Sequence, residues 1–190
     1  MNGENITQLA QPQTREIYAV FCGPIDPISV ARIFQGITTG MNNGITNFHL
    51  LFQSTGGMVG EGVCLFNFFK ALPCDLTLYN VGSVSSIATI AFLGAKKRKT
   101  SASATFMLHR THFSPQGAKT KALKAFADSA ALDDTRTEAI LRSIIKLPDT
   151  LWTDLDYNDL NFSAEEAIKY GIATEIGDFA PPLGSQIYNV

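Results

Sequence analysis

Three side chains that together can break an acyl bond occur in the order Ser86, His109 and Asp159. A serine hydroxyl is a weak nucleophile at neutral pH, and it needs a base to take its proton. Histidine suits this role because its ordinary pKa of about 6.5 lets it accept and return a proton near pH 7. A carboxylate behind the imidazole selects its tautomer and stabilises the imidazolium. The order therefore indicates a candidate hydrolytic triad.

Ser86 lies in the small-residue segment Gly82-Ser83-Val84-Ser85-Ser86, which follows a strand-like run and precedes an apolar, helix-like run. A helix N-terminus presents unpaired backbone N–H groups and a partial positive charge, both of which can stabilise a developing oxyanion. Serine is also a common helix cap. Position alone therefore leaves two interpretations of Ser86, a nucleophile or a cap.

The remaining polar and sulfur-containing candidates are weaker. His49 lies inside an apolar strand and is interpreted as a core histidine, and the pair His109 and His112 has no cysteine or carboxylate cluster next to it in the sequence. We therefore expect no metal site and no cofactor. The three cysteines, Cys22, Cys64 and Cys74, have apolar neighbours and are interpreted as reduced core thiols.

The elements that must position these side chains follow a repeated strand, turn and helix order. Strands are predicted at 17–22, 48–52, 76–81 and 104–109, and helices after Asp26-Pro27, at 60–71 and at 85–93. Strands with few polar positions that alternate with helices predict parallel pairing with both faces of the sheet covered. The fold class is therefore α/β.

A long helical region follows at 119–146, with Asp133-Asp134 as a predicted kink or break. Ser163 with Glu166 predicts a capping box, Gly171 predicts the end of that helix, and a short strand is expected near 172–176. We expect residues 1–14 to be a flexible polar arm and residues 15–190 to be one domain.

Bulk properties argue against several classes of partner. The chain has 190 residues, a formal net charge of -2 and one basic run, Lys96-Lys97-Arg98-Lys99, which is interpreted as a solvated loop between a helix and a strand. This charge gives no reason to expect nucleic acid. The polar N-terminus lacks the pattern of a signal peptide, and no apolar run could span a bilayer. We expect a cytoplasmic protein with no membrane partner.

Four segments of the chain resemble the Clp protease proteolytic subunit, a caseinolytic serine peptidase family of the crotonase-like superfamily. Gln53-Ser54-Thr55-Gly56-Gly57 is similar to the family's Asn-Ser-Pro-Gly-Gly turn, and the segment from Gly82 to Ala88 is similar to its Gly-x-Ala-Ala-Ser-Met-Gly nucleophile turn. Met107-Leu108-His109 resembles its Met-Ile-His strand, and the segment from Asp159 to Ala167 resembles its Asp-Arg-Phe-Leu-Ser-Ala-x-Glu-Ala. The resemblance runs from about Ile17 to Ile176.

The resemblance implies a crotonase-like α/β spiral of repeated ββα units with a protruding handle helix in the region 111–150. It implies that Ser86 is the nucleophile, His109 the general base and acid, and Asp159 the orienting carboxylate, with Asp154 and Asp156 as rival acids. The backbone amides of Gly57 and Ile87 would form the oxyanion hole. The implied function is a serine endopeptidase that cleaves small or unfolded polypeptides in a homo-oligomeric ring. An ATP-dependent unfoldase is a further partner that the family suggests.

Several positions depart from the family pattern. Thr55 replaces a proline, and Phe113-Ser114 stands where the family has a Gly-Gly pair that binds substrate backbone. One alternative is therefore a catalytically inactive or scaffolding paralogue in a Clp-type ring. Another is a crotonase-type acyl-CoA enzyme, and a third is a Ser/Lys peptidase in which Lys146 would serve as the base.

Overall fold

A parallel β-sheet of six strands forms the centre of the protein. The computed structural model describes residues 15–114, 116–117 and 119–190, so the predicted arm at 1–14 lies outside the described residues. The strands of this sheet are β1 (Glu16–Cys22), β2 (Asn47–Gln53), β3 (Asp75–Asn80), β5 (Lys97–Thr100), β8 (Glu175–Ile176) and β9 (Ile187–Asn189). They lie in the order β8-β5-β3-β2-β1-β9, and every neighbouring pair is parallel. The predicted parallel pairing is confirmed.

The helices that connect the first strands begin and end close to the predicted positions. They are α1 (Pro27–Asn42), α2 (Val59–Ala71) and the short α3 (Ile87–Phe92). Helix α1 begins at a capping box, in which the Asp26 carboxylate accepts from the Ser29 amide at 2.8 Å and the Ser29 hydroxyl accepts from the Asp26 amide. Pro27 at the first helical position removes one amide that would otherwise lack a partner.

A second, three-stranded sheet lies beside the first and carries the candidate catalytic residues. Its strands are β4 (Ser83–Ser85), β6 (Thr105–Leu108) and β7 (Leu160–Phe162). Strand β4 pairs parallel with β6, and β7 pairs antiparallel with β6. The segment at 82–85 was predicted to be only a turn. It forms a strand because Ser85 donates its amide to the Ser54 carbonyl while Val84 pairs with Phe106.

Helix α4 (Thr120–Ile144) is continuous over 25 residues, so the predicted break at Asp133-Asp134 is wrong. Both aspartates make contacts that fit the helix: Asp133 pairs with Arg136 one turn later, and the Asp134 carboxylate accepts from the Thr111 amide. Leu141 is the one residue of α4 that is fully buried, so most of this helix is covered by nothing in the described chain.

Two shorter helices complete the described chain, α5 (Asp149–Asp154) and α6 (Ala164–Tyr170). The predicted capping box of α6 is confirmed, since the Ser163 hydroxyl accepts from the Glu166 amide and the Glu166 carboxylate accepts from the Ser163 amide. Gly171 ends the helix in the left-handed conformation at φ 82°. None of the described helices has the length and apolar character needed to cross a membrane.

The hydrophobic core lies between the large sheet and helices α1, α2 and α3, and it continues under the small sheet. Phe21, Phe52, Phe92 and Phe106 are its largest fully buried side chains. Their rings lie in successive contact, with centroids 5.2 Å apart for Phe21 and Phe52, 6.4 Å for Phe52 and Phe92, and 5.3 Å for Phe92 and Phe106. This row of aromatic rings joins the first strand to the strand that precedes His109.

Two sequence-based predictions about surface and core are wrong. Cys22 at the end of β1 and Cys64 within α2 are exposed, whereas Cys74, in the connection between α2 and β3, is half-buried and packs against the core. Three of the four residues of the basic run, Lys97 to Lys99, lie in strand β5 rather than in a loop. Its Arg98 is partly buried and donates to the carbonyls of Ala95, Gly171 and Ile172 at 2.6–3.0 Å.

Candidate functional site

Ser86 connects β4 to α3 in a strained backbone conformation. Its φ of 58° and ψ of -134° make it the one non-glycine residue with positive φ in the described chain. Such conformations cost of order 1–3 kcal/mol and persist only where surrounding contacts impose them. The Ser86 side chain makes no capping hydrogen bond to α3, although it occupies the cap position. Its Oγ lies instead 2.6 Å from Nε2 of His109.

Backbone and side-chain bonds hold the Ser86 turn in place. The Ser86 amide donates to the Met107 carbonyl at 2.8 Å, which ties the turn to β6. Thr89 is fully buried, and its Oγ1 lies 3.0 Å from the carbonyl oxygens of both Val84 and Met107. Thr89 is not predicted from the sequence as part of the site, and its one signal there is a hydroxyl within the apolar run Ile87-Ala88-Thr89-Ile90.

Gly56 and Gly57 form the other wall of the site, and neither position has room for a side chain. A Cβ on Gly56 would lie 2.7 Å from Cβ and 3.1 Å from Oγ of Ser86, and a Cβ on Gly57 would lie 2.2 Å from the Ile25 carbonyl oxygen. Ile25 holds this turn, since its amide donates to the Gly56 carbonyl at 2.9 Å and its carbonyl accepts from the Met58 amide at 2.8 Å. The glycines are therefore required by close approach as well as by turn geometry.

The two amides expected to form an oxyanion hole are unengaged. Neither the Gly57 amide nor the Ile87 amide has a hydrogen-bond partner among the described residues. Ile87 begins α3, where such an amide is one of the orphan donors of a helix N-terminus. Gly62 of α2 packs directly against Ile87, because a Cβ there would lie 2.2 Å from Cγ1 of Ile87. The close approach of α2 thus fixes the start of α3.

His109 follows β6 and is brought to Ser86 by the pairing of β4 with β6. Its side chain is 18% exposed. Burial lowers the pKa of His109, and nearby His112 lowers it further, while the carboxylates of Asp159 and Asp134 act in the opposite direction. Burial prevails, so the imidazole is neutral at pH 7 and able to accept a proton.

Strand β7 brings Asp159 to the other side of the imidazole. Leu108 pairs with Leu160, so the residues next to them, His109 and Asp159, are neighbours across the two strands. Oδ1 of Asp159 lies 3.8 Å from Nδ1 of His109, and that buried Nδ1 has no hydrogen-bond partner among the described residues. A carboxylate movement of about 1 Å would give a normal hydrogen bond. Catalytic hydrogen bonds are often this long before substrate binds.

The two rival acids have other partners. The carboxylate of Asp156 accepts from Nε of Arg110 at 2.9 Å, and the carboxylate of Asp154 accepts from the side-chain amide of Asn158. Of the three aspartates, Asp159 is the one whose carboxylate lies beside His109, with Oδ1 3.8 Å from Nδ1.

The other predicted or excluded residues lie as follows. His49 is remote from Ser86: its Nδ1 lies 2.8 Å from the Tyr79 hydroxyl, and its ring stacks on Tyr18 with centroids 4.6 Å apart. The ring is satisfied as expected, although it is half-buried rather than buried. Lys146 is exposed, and no lysine lies among the described residues that line the cavity at Ser86.

A small cavity of about 110 Å³ opens beside Ser86 and His109. Its apolar lining comes from Val59, Ile87, Ile90, Leu108 and Leu141, and its polar lining continues from His109 to His112. The rings of His109 and His112 lie edge to face with centroids 4.4 Å apart. The sequence showed no carboxylate beside these two histidines, but the fold brings Asp159 to them, and the ligand atoms of all three residues lie within 4.8 Å of one another.

Contacts of Arg110 and Thr111 fix the segment that carries these two histidines, and the sequence did not predict these contacts. Arg110 lies between Glu138 of α4, at 2.8 Å, and Asp156. The Thr111 amide donates to Asp134 of α4 at 2.8 Å. The partners are 23 to 46 positions apart, so no local pattern indicated them.

Comparison with known families agrees with the motif resemblance. A family model described as Clp protease matches residues 2–179, which is nearly the whole chain. That family has the crotonase-like fold and comprises serine peptidases, so the predicted fold class is confirmed. The match also covers all four motif segments.

Proposed function

Because this chain belongs to the Clp protease family, we propose that it is a serine peptidase in which Ser86 is the nucleophile, His109 the general base and acid, and Asp159 the orienting carboxylate. The observation that carries this proposal is the 2.6 Å contact between Oγ of Ser86 and Nε2 of His109. It is made by a serine with a strained backbone and no capping bond. A serine that served only as a cap would need neither feature.

The mechanism begins when Oγ of Ser86 attacks the scissile carbonyl carbon and its proton passes to Nε2 of His109. The carbonyl oxygen becomes an oxyanion, which the amides of Gly57 and Ile87 stabilise; one such donor is typically worth about 2.7–4 kcal/mol. The imidazolium then protonates the leaving amine, which departs as the acyl-enzyme forms. Water, deprotonated by His109, attacks the ester, and the imidazolium returns the proton to Oγ of Ser86 as the second product leaves. After the movement of about 1 Å described above, the Asp159 carboxylate accepts from Nδ1–H of His109 during these steps.

We further propose that the substrate is a polypeptide in small or unfolded form and that the protein assembles into a homo-oligomeric ring. Support for assembly comes from α4, where Leu123, Phe126 and Leu132 are 41%, 48% and 67% exposed. The exposed Phe113 stacks on Phe126 with centroids 6.1 Å apart, which extends this apolar surface toward the active site. Such a surface is typical of a subunit contact. An ATP-dependent unfoldase is an additional partner proposed from the family. A cytoplasmic location is also proposed, and the three free thiols are consistent with that reducing compartment.

A fluorophosphonate probe tests the nucleophile directly, because it forms a covalent bond only with an activated serine. We expect the native protein to be labelled once per chain and Ser86→Ala not to be labelled. Ser83→Ala is the matched control, since it removes a hydroxyl from the same segment. Absence of labelling of the native protein under metal-free conditions, or equal labelling of Ser86→Ala, would refute the assignment.

An inactive paralogue is the second candidate, favoured by the 3.8 Å gap between His109 and Asp159 and by Phe113-Ser114 in place of a Gly-Gly pair. In that case the native protein alone would neither be labelled nor cleave a fluorogenic peptide. It would nevertheless co-assemble with an active relative.

A further inference from the structure

His112 has no part in the proposed peptidase mechanism, yet it stands at the opening of the triad. His109, His112 and Asp159 each place one ligand atom so that all three atoms lie within 4.8 Å of one another. His112 and Asp159 are exposed, whereas Nδ1 of His109 is buried. The cluster is therefore accessible from solvent on one side and anchored in the protein on the other.

The distance between Nδ1 of His109 and Oδ1 of Asp159 is nearer to that between two ligands of one metal ion than to that of a hydrogen bond. The 3.8 Å between Nδ1 of His109 and Oδ1 of Asp159 is too long for a hydrogen bond. It is close to the separation of about 3.3 Å between two ligands of a tetrahedral zinc ion with bonds of about 2.0–2.1 Å. Two imidazoles with one carboxylate form a ligand set that zinc uses where it keeps one position open. Rotation of the exposed side chains of His112 and Asp159 can close the remaining distance.

The surrounding contacts hold the two histidines in position and balance the positive charge of Arg110, which follows His109. Arg110 would repel a cation, but Glu138 and Asp156 neutralise it. The bond from the Thr111 amide to Asp134 fixes the backbone one residue before His112. Binding of an ion therefore requires side-chain rotation and no refolding of this segment.

We propose that His109, His112 and Asp159 form an inhibitory site for Zn²⁺, and this inhibitory consequence depends on the peptidase function proposed above. A neutral imidazole carries one proton. When zinc occupies Nδ1, that proton is on Nε2, which then donates to Oγ of Ser86 and cannot accept a proton from it. The ion also withdraws Asp159 from its orienting role. Zinc and the active triad are therefore mutually exclusive, and removal of zinc restores the base without any covalent change.

Metal binding can be tested without reference to activity. The metal-free protein is titrated with Co²⁺, whose visible absorption reports tetrahedral binding, and with Zn²⁺ against a fluorescent chelator. We expect one ion per chain and at least a 10-fold weaker affinity in His112→Asn. Changes to residues that only support the ligands typically weaken metal binding by about 10- to 100-fold, and loss of a ligand should weaken it by at least the lower of these values. His49→Asn is the control, because it removes a histidine outside the site. No binding, or binding equally tight in His112→Asn, overturns the proposed site.

The inhibitory consequence is tested by the rate of fluorophosphonate labelling with and without Zn²⁺, each variant being normalised to its own zinc-free rate. We expect zinc to slow labelling of the native protein at least 10-fold at saturation and EDTA to restore it. His112→Asn should require at least 10-fold more zinc for the same effect. Zinc that binds without slowing labelling overturns inhibition. A native protein that is not labelled in EDTA refutes the peptidase function instead, and the Co²⁺ titration still decides the metal site.

Discussion

Gly56→Ala should separate the proposed role of the Gly56-Gly57 turn in catalysis from its role in folding. A Cβ at position 56 would lie 2.7 Å from Cβ of Ser86, whereas ordinary contact begins at 3.4 Å. The two atoms must therefore move apart by about 0.7 Å, and Ser86 cannot yield freely because its amide is bonded to Met107. A misplacement of about 1 Å at a reacting atom can cost about 100-fold in rate. We expect labelling of Ser86 to slow by about 50- to 100-fold.

The control for this prediction is Gly44→Ala. Gly44 also has positive φ, at 77° against 101° for Gly56, but a Cβ there would meet only the end of the Arg15 side chain at 3.5 Å. Both variants carry a backbone strain of roughly 1–2 kcal/mol, so both should lower the melting temperature. Only Gly56→Ala should slow labelling. Equal slowing in both variants, or an unchanged labelling rate in Gly56→Ala, would refute the argument that Gly56 exists to admit Ser86.

Two further predictions concern the base and the support of the turn. Burial lowers the pKa of His109, which favours the neutral form. In EDTA, kcat/KM should therefore be at its plateau at pH 7 and should fall only as the pH drops through a midpoint below 6.5. A midpoint above 6.5 in a peptidase pH profile would contradict this prediction. Thr89→Val removes the buried hydroxyl that lies between two carbonyls and should lower the free energy of unfolding by about 1–3 kcal/mol, measured by urea denaturation. The control is Thr38→Val, which removes an exposed hydroxyl that donates to the Phe34 carbonyl and should change the free energy of unfolding by less than about 0.5 kcal/mol. Equal losses of unfolding free energy in the two variants would argue against a special role for Thr89.

The large sheet could be predicted from the sequence because the apolar composition of its central strands indicates that they are buried. The strand predictions around Leu50 and Leu78 are correct because apolar residues predominate in both segments, as is typical of strands covered on both faces. The exposed cysteines were mispredicted for a related reason, since apolar neighbours along the chain do not determine which way one side chain points. Strand β9 was missed because its three residues are exposed and follow a segment rich in proline and glycine.

The residues of the candidate site also fall into two groups, those that local sequence patterns indicate and those that depend on tertiary contacts. Ser86 and the glycine turn could be found from local patterns, because each is a short strand-to-helix connection with small residues. Thr111, Asp134 and Glu138 could not, since their bonds depend on where α4 lies against the segment after His109. The continuous course of α4 through Asp133-Asp134 is part of this arrangement, because two adjacent aspartates suggest a break only while their partners are unknown.

The proposed nucleophile and the proposed orienting carboxylate therefore depend on different parts of the fold. Ser86 and His109 are joined through β4 and β6, inside the core, and their contact is already 2.6 Å. Asp159 reaches His109 only through the three-residue strand β7 and is half-exposed, and its contact is still 3.8 Å. A perturbation of α4 or of an assembly built on it acts first on Arg110 and Asp156, three residues before Asp159. Such a change should alter the orientation of the imidazole while it leaves the Ser86 turn intact.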